Sequence, residues 1–264
     1  MRRLLSVFVA VCLVLSFFSL VPSAKADTSG DYTYSIAGGS ATITKYTGSG
    51  GAVVIPSTLG GYAVTTIGDS AFKNTASLIS VTIGNSVTTI GGYAFFGCSY
   101  LTSVTIPNSV TSIGDFAFYG CDRLTSVTIG SGVTSIGIEA FQSCASLTSL
   151  TIPNSVTSIG DFAFCGCTAL SSVTIGSGVT SIGSAAFAGC TGLTSFTVDL
   201  GNPAYSSSTD GVLFNKTATL LVQYPGGKQG SYAVPDSVTR ISSLAFNGCT
   251  ALDSFHIVGV NSRQ

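Results

Sequence analysis

Leu78, Leu101, Leu124, Leu147, Leu170 and Leu193 stand 23 residues apart, and a chain with that period must build one structural unit over and over. The same step carries Ile67 through Ile90, Ile113, Ile136 and Ile159 to Ile182, and Phe72 through Phe95, Phe118, Phe141 and Phe164 to Phe187. One unit, residues 101–123, reads LTSVTIPNSVTSIGDFAFYGCDR, with Leu101, Val104, Ile106, Val110, Ile113, Ala117, Phe118 and Cys121 as its recurring apolar set. In Ser103-Val104-Thr105-Ile106 polar and apolar residues alternate, which predicts a half-buried strand ended by Pro107 or, in alternate units, by a glycine. Residues 110–113 are a second short extended segment. Residues 116–119 lie between Gly114 and Gly120, which leaves room for about one helical or 3₁₀ turn before the next unit starts.

A strand and a turn cannot bury an apolar side alone, so the units must stack, each large side chain then contributing about 1.5–3 kcal/mol. The units also alternate over 46 residues: Pro107 and Pro153 alternate with Gly130 and Gly176, and Asp115 and Asp161 with Ile138 and Ser184. Duplication of a two-unit block explains this, and it points to a scaffold lengthened by copying rather than assembled around one chemical site.

Charged residues make up 8% of the chain and the net charge is −1, which excludes the electrostatic footprint of a nucleic-acid or anionic-membrane partner. Residues 1–26 have the layout of a signal peptide: Arg2 and Arg3, an apolar run from Leu4 to Val21, and Ala24-Lys25-Ala26 as a small-x-small cleavage site. After cleavage no second apolar run of spanning length follows, so membrane insertion of the mature chain is not expected. Residues 27–66 are expected to cap the stack and form an enlarged first coil. At the other end Phe255-His256-Ile257 begins a strand and the sequence stops, an end open to truncation or to self-association with another chain.

The pattern LxxVxIPxxVxxIGxxAFxGC, carried here by Leu101, Val104, Ile106, Pro107, Val110, Ile113, Ala117, Phe118, Gly120 and Cys121, resembles the BspA-like class of leucine-rich repeats. The resemblance implies an α/β repeat fold, a leucine-rich-repeat solenoid with a parallel β-sheet, mostly strand and loop with short helical or 3₁₀ turns. It implies a secreted or cell-surface protein that recognises an extracellular protein or glycan, and it transfers no catalytic residues and no cofactor. On this reading residues 67–198 are the 23-residue repeats, 199–234 a hairpin-like interruption, and 235–264 a final repeat with a C-terminal strand.

Two regions are candidate contact surfaces. The interruption delays the Ile column to Ile241 and the Cys column to Cys249; its segments 211–215 and 219–224 are strand-like around a polar turn, which predicts a projecting hairpin. Tyr205, Tyr224, Lys228 and Tyr232 give it the aromatic and basic character of a binding edge, or else pack it onto the solenoid. The second region is the polar face of the main strands, where Ser103 and Thr105, Ser126 and Thr128, and Ser149 and Thr151 belong to paired columns. Adjacent parallel strands would set these hydroxyls about 4.8 Å apart, an array for glycans or for ordered water, or simply a soluble exterior.

Catalysis and metal binding find no support. His256 is the only histidine and takes an outward strand position. Asp69, Asp115 and Asp161 recur in every second unit, about 10 Å apart, too far to share one ion. Cys98, Cys121, Cys144, Cys167 and Cys190 form a column that suits buried thiols better than a ladder of disulfides, with Cys165 outside it as the exposed, reactive candidate. Asn215-Lys216-Thr217 is a glycosylation sequon. The function expected is non-catalytic recognition or adhesion; a structural coat protein is the alternative, and an ice-binding Ser/Thr array a narrower one.

Overall fold

A computed structural model describes residues 27–257; residues 1–26, where a signal peptide is expected, and residues 258–264 lie outside the described residues. The 23-residue units are coils that stack in parallel register. Each contributes a four-residue strand, as in Ser103–Ile106, Ser126–Ile129, Ser149–Ile152 and Ser172–Ile175, and a two-residue strand, as in Ser112–Ile113, Ser135–Ile136 and Ser158–Ile159. The alternation works as expected: Val104 and Ile106 are buried while Ser103 and Thr105 are exposed.

The short strands join one continuous sheet that runs from Asp27–Ser29 at one end to Ser181–Ile182 at the other. At its start Asp27–Ser29, Tyr32–Ala37 and Ser40–Tyr46 form an antiparallel meander, and the last of these pairs in parallel with Tyr62–Ile67. The meander closes the stack with side chains as well as backbone. Tyr46 stacks on Phe72 with ring centroids 4.9 Å apart, and the column continues Phe72, Phe95, Phe118, Phe141, Phe164, Phe187 at 5.0–5.5 Å.

The expected helical turn at residues 116–119 does not form, and the described residues contain no helix. Its place is taken by a turn whose first residue is left-handed in every coil: Tyr93, Phe116, Glu139, Phe162 and Ala185 have φ of 53–57°. Successive amides then point in different directions. Ala117, Tyr119 and Cys121 donate back three residues, to Gly114, Phe116 and Phe118, while Phe116, Phe118 and Gly120 donate to Ile138, Ala140 and Gln142 of the next coil. A helix would keep all these bonds inside one coil; the turn shares half of them with its neighbour.

The 46-residue alternation decides how tightly neighbouring long strands join. Gly130 sits so close to the preceding coil that a Cβ there would lie 2.5 Å from the Pro107 carbonyl oxygen, and Gly176 is equally tight against Pro153. At these junctions four residues pair on each side. At the opposite junctions the incoming residue is proline, which brings no N–H to extend the ladder. Below Pro107 the ladder loses its last rung, pairing only Ser80–Thr82 with Ser103–Thr105. Below Pro153 it fails: Ser126–Ile129 and Ser149–Ile152 fall in separate sheets, and Thr148 N reaches Thr125 O at 3.3 Å against 2.9 Å for Thr125 N to Thr102 O. Leu150 adds to the separation, since it stands in a column held by Val104, Val127 and Val173.

Phe141→Ala removes a fully buried ring from the middle of the stack and should cost about 3–5 kcal/mol of unfolding free energy, read from urea denaturation. The double change Leu150→Val with Pro153→Gly should rejoin the two sheets. Hydrogen exchange would then find the new amide at position 153 as protected as that of Gly176, which bonds to Ile152 O at 3.0 Å.

Candidate functional site

The outward face of the long strands carries the paired hydroxyl columns. Ser103, Thr105, Ser126, Thr128, Ser149 and Thr151 are all exposed. They do not form one array, because the break between Ile129 and Ile152 divides it. A shallow groove of about 540 Å³ lies on the first part, lined in part by Ser80, Thr82, Ser103, Thr105 and Thr128; a second of about 280 Å³ lies across the break, lined by Val127, Thr128, Ile129, Ser149, Thr151 and Pro153. No charged side chain lines either groove.

Other hydroxyls and acids proved to serve the backbone, a role that periodicity alone does not separate from surface chemistry. Thr88, Thr111, Thr134, Thr157 and Thr180 each donate from Oγ1 to the carbonyl 23 residues earlier at 3.0–3.2 Å. Asp69, Asp115 and Asp161 each accept, through Oδ1, the amide of the following coil at Gly92, Ile138 and Ser184, at 2.6–2.7 Å. The aspartates therefore cap the next turn, which explains their recurrence. Among the described residues no cluster of three His, Cys, Asp or Glu side chains is placed to hold a metal. His256 is exposed beside Ser254.

The interruption is no projecting hairpin. Leu213–Asn215 and Leu220–Gln223 are antiparallel, but Leu220–Gln223 also pairs in parallel with Arg240–Ile241 and so forms a rung of the solenoid. Leu221 faces Ile241 as one member of the Ile column faces the next. Tyr224 takes the place of the column phenylalanine: its N–H donates to Ala245 O, its ring stacks on Phe246 at 5.3 Å, and its side chain is 1% exposed. It has no surface to offer a partner. Tyr232 is turned inward as well, because Tyr232-Ala233-Val234-Pro235 repeats the alternation of Val104-Thr105-Ile106-Pro107 and the strand Gly230–Val234 pairs with Leu252–Ile257. Tyr205 is half-buried and accepts the Ile182 amide on its hydroxyl at 2.8 Å; Lys228 donates from Nζ to Asp210 O. The four residues expected to form one edge are therefore divided between core and surface. The sequon asparagine is also committed: Asn215 accepts the Thr219 and Leu220 amides and donates to both neighbouring threonine hydroxyls.

The cysteines are free thiols throughout the described residues. Each column member lies against a carbonyl of the Phe column in the preceding coil, Cys121 Sγ on Phe95 O at 3.4 Å and Cys144 Sγ on Phe118 O at 3.3 Å. Burial pushes Cys98 and Cys190 up to about 12 and Cys121, Cys144 and Cys167 well above the ordinary thiol value. Cys165, expected as the reactive thiol, is half-buried; burial and then the nearby Glu139 charge raise it also, so nothing activates it.

One aromatic cluster escaped the sequence reading. Tyr93 stacks on Phe116 at 4.7 Å and Phe96 on Tyr119 at 4.9 Å, and the Lys73 ammonium lies over the Tyr93 and Phe96 rings at 4.9 and 5.1 Å. The signal was present as two further residues at the 23-residue step. The rings of neighbouring coils are turned to one another and Lys73 covers the first pair, so the cluster is a two-coil aromatic ladder.

A stack of parallel rungs with leucine, isoleucine and phenylalanine columns defines a leucine-rich-repeat solenoid. The chain belongs to the BspA-type leucine-rich-repeat family, whose model matches residues 65–202 and 227–262 in six copies. It is similar to a leucine-rich cell surface protein of Faecalibacterium prausnitzii, with 34% identity and a TM-score of 0.64, covering 89% of this chain and 77% of that one. A leucine-rich-repeat protein of Bacteroides ovatus is 28% identical with a TM-score of 0.66, covering 88% of this chain and 64% of that one. The pneumococcal vaccine antigen PcpA, 24% identical with a TM-score of 0.63 and the same coverages of 88% and 64%, shares the fold. No curated protein matches the chain.

The thiol shifts set a pH dependence. In the folded chain Cys98 and Cys190 ionise near 12 and burial holds Cys121, Cys144 and Cys167 well above the ordinary thiol value of about 9, so above that value the unfolded chain loses protons that the folded chain keeps. Stability should be insensitive to these groups below pH 9 and fall progressively as pH rises from 9 toward 12, measured as the urea midpoint at successive pH values; a chain with the five column cysteines changed to alanine should lose that part of the slope.

Proposed function

We propose that this protein is a secreted or cell-surface recognition module that binds an extracellular protein or glycan, without catalysis, through the outward face of its long strands. The observation that carries the reading is the uncharged hydroxyl face, with shallow grooves of about 540 and 280 Å³ on a backbone that the stacked core holds fixed. A preorganised, uncharged hydrogen-bonding surface suits many weak contacts, which together supply affinity while their entropy cost has been met by folding. The relative in Faecalibacterium prausnitzii is described as a cell surface protein, which supports the location. The ladder break at Pro153 weighs against the ice-binding alternative, since it interrupts the repeat distance that a lattice match requires. A coat protein, the remaining alternative, would self-associate and ignore that face.

The test is binding of residues 27–264 to an array of extracellular-matrix proteins and glycans, with light scattering on the same sample. A selective, saturable ligand is expected to bind a monomer and to lose at least about tenfold in affinity on Thr128→Tyr, whose melting temperature should be unchanged because Thr128 is exposed. Uniformly negative binding with concentration-dependent oligomers would replace this reading with the coat protein.

A further inference from the structure

The interruption leaves one rung of the stack unfilled. In the coil that ends at Cys167, the turn meets its successor completely: Ile159 O accepts the Gly183 amide at 2.8 Å, Phe162 N donates to Ser184 O at 2.9 Å, and Phe164 N donates to Ala186 O at 2.8 Å. The corresponding groups of the next coil are Ile182 O, Ala185 N and Phe187 N. None of the three has a hydrogen-bond partner among the described residues, although further along the same turn Gly189 N regains one at Asn247 O, 3.2 Å away. The rung that should have met them is diverted: Ser242 N, the counterpart of Gly183 N, bonds instead to Leu221 O within the interruption.

Between the two walls lies a groove of about 320 Å³, lined by residues 182–187 on one side and by Tyr205, Leu220, Val222 and residues 240–243 on the other. Ala185 and Phe187 are 7% and 2% exposed, so their amides are set into the wall and poorly hydrated. A buried amide without a partner is costly, and a ligand that supplies the acceptor recovers that cost on binding. The donors are two residues apart and their counterparts elsewhere all meet carbonyls two residues apart, at Ile138 and Ala140 or Ser184 and Ala186. That spacing belongs to polypeptide backbone. Leu220, Val222 and Ile241 add an apolar wall for side chains, and Arg240 is the only charged residue of the lining.

We infer that this groove binds a short segment of a partner polypeptide, whose backbone takes the turned course of the missing rung against Ile182, Ala185 and Phe187, with an acidic side chain of that segment at Arg240. The recognition is backbone addition to an open ladder, in which the backbone supplies affinity and the Arg240 end supplies selectivity. It rests on the recognition-module reading but uses a different surface from the hydroxyl face.

The probe is a positional-scanning library of acetylated, amidated hexapeptides in which one position is fixed as Asp, Lys or Ala, read by fluorescence anisotropy against the chain 27–264. Pools with Asp at one favoured position are expected to bind roughly tenfold tighter than the matching Lys pools, and Arg240→Glu should reverse that preference. Hydrogen exchange should show the Ala185 and Phe187 amides slowed by the best peptide relative to the free protein. Ser243→Trp and Ser184→Trp, which fill the groove from opposite walls at exposed positions, should abolish binding with melting temperature retained. Thr128→Tyr should leave peptide binding intact, so a failure of the hydroxyl-face reading and a failure here are separable. The inference falls if either tryptophan variant binds like the wild type, if the best peptide leaves the exchange of the two amides unchanged, or if inorganic phosphate alone displaces the peptide, which would make the groove a simple anion site.

Discussion

Each coil of the regular stack gives half of the amides in its turn to its neighbour. At Phe116, Phe118 and Gly120 the N–H groups leave the coil, and at Ala117, Tyr119 and Cys121 they stay in it. This sharing is what makes the fold quasi-one-dimensional, because no coil satisfies its own backbone. It also explains the left-handed residue that opens each turn. A bulky side chain such as Tyr93 or Phe116 is costly at positive φ, and the conformation persists because the amides it redirects are paired across the coil boundary.

The columns follow from the same constraint. Coils that must lie one rung apart bring identical positions face to face, so a flat ring at one position is best met by a flat ring at the next, as in the phenylalanine stack at 5.0–5.5 Å. A small thiol beneath it reaches the carbonyl of the preceding phenylalanine and occupies space that a larger residue would overfill. The aspartates at every second coil cap an amide of the following coil, and the following coil has no need to repeat them. Interior and turn chemistry are thus consumed by stacking, and recognition is left to the outward strand positions and to places where stacking is incomplete.

Two features make it incomplete, and both arise from departures in the repeat. Pro153 withdraws one donor and Leu150 adds volume, which opens the long-strand sheet while the short-strand sheet stays continuous. The interruption supplies a substitute rung, with Leu221 and Tyr224 in the Ile and Phe columns, that pairs with the final coil; it bonds to the coil before it at Gly211 and Gly227 but leaves Ile182 O, Ala185 N and Phe187 N unmet. The groove across the break and the groove at the interruption therefore both arise from irregularity in the repeat.

The repeat, the inward residues and the alternation of the long strands were legible in the sequence, because side-chain period and burial are local consequences of a half-buried strand. The Pro and Gly alternation was legible as a pattern, but not its effect on the ladder, which depends on whether one missing N–H is tolerated beside the volume of Leu150. The helical turn was misjudged because a four-residue segment between two glycines carries no signal for left-handed geometry when Tyr, Phe, Glu and Ala all occupy the position. The inward turn of Tyr224 and Tyr232 was hidden for a similar reason: aromatic residues stand where smaller or purely apolar ones mark the columns elsewhere, so the substitute coil did not look like a coil. Sequence by itself determined that coils must stack and which side chains face inward, since apolar burial admits no other arrangement of a 23-residue period. Only the tertiary structure decided where the stack fails to close, because an unpaired carbonyl or amide is defined by the position of the coil above it and by nothing in its own neighbourhood along the chain.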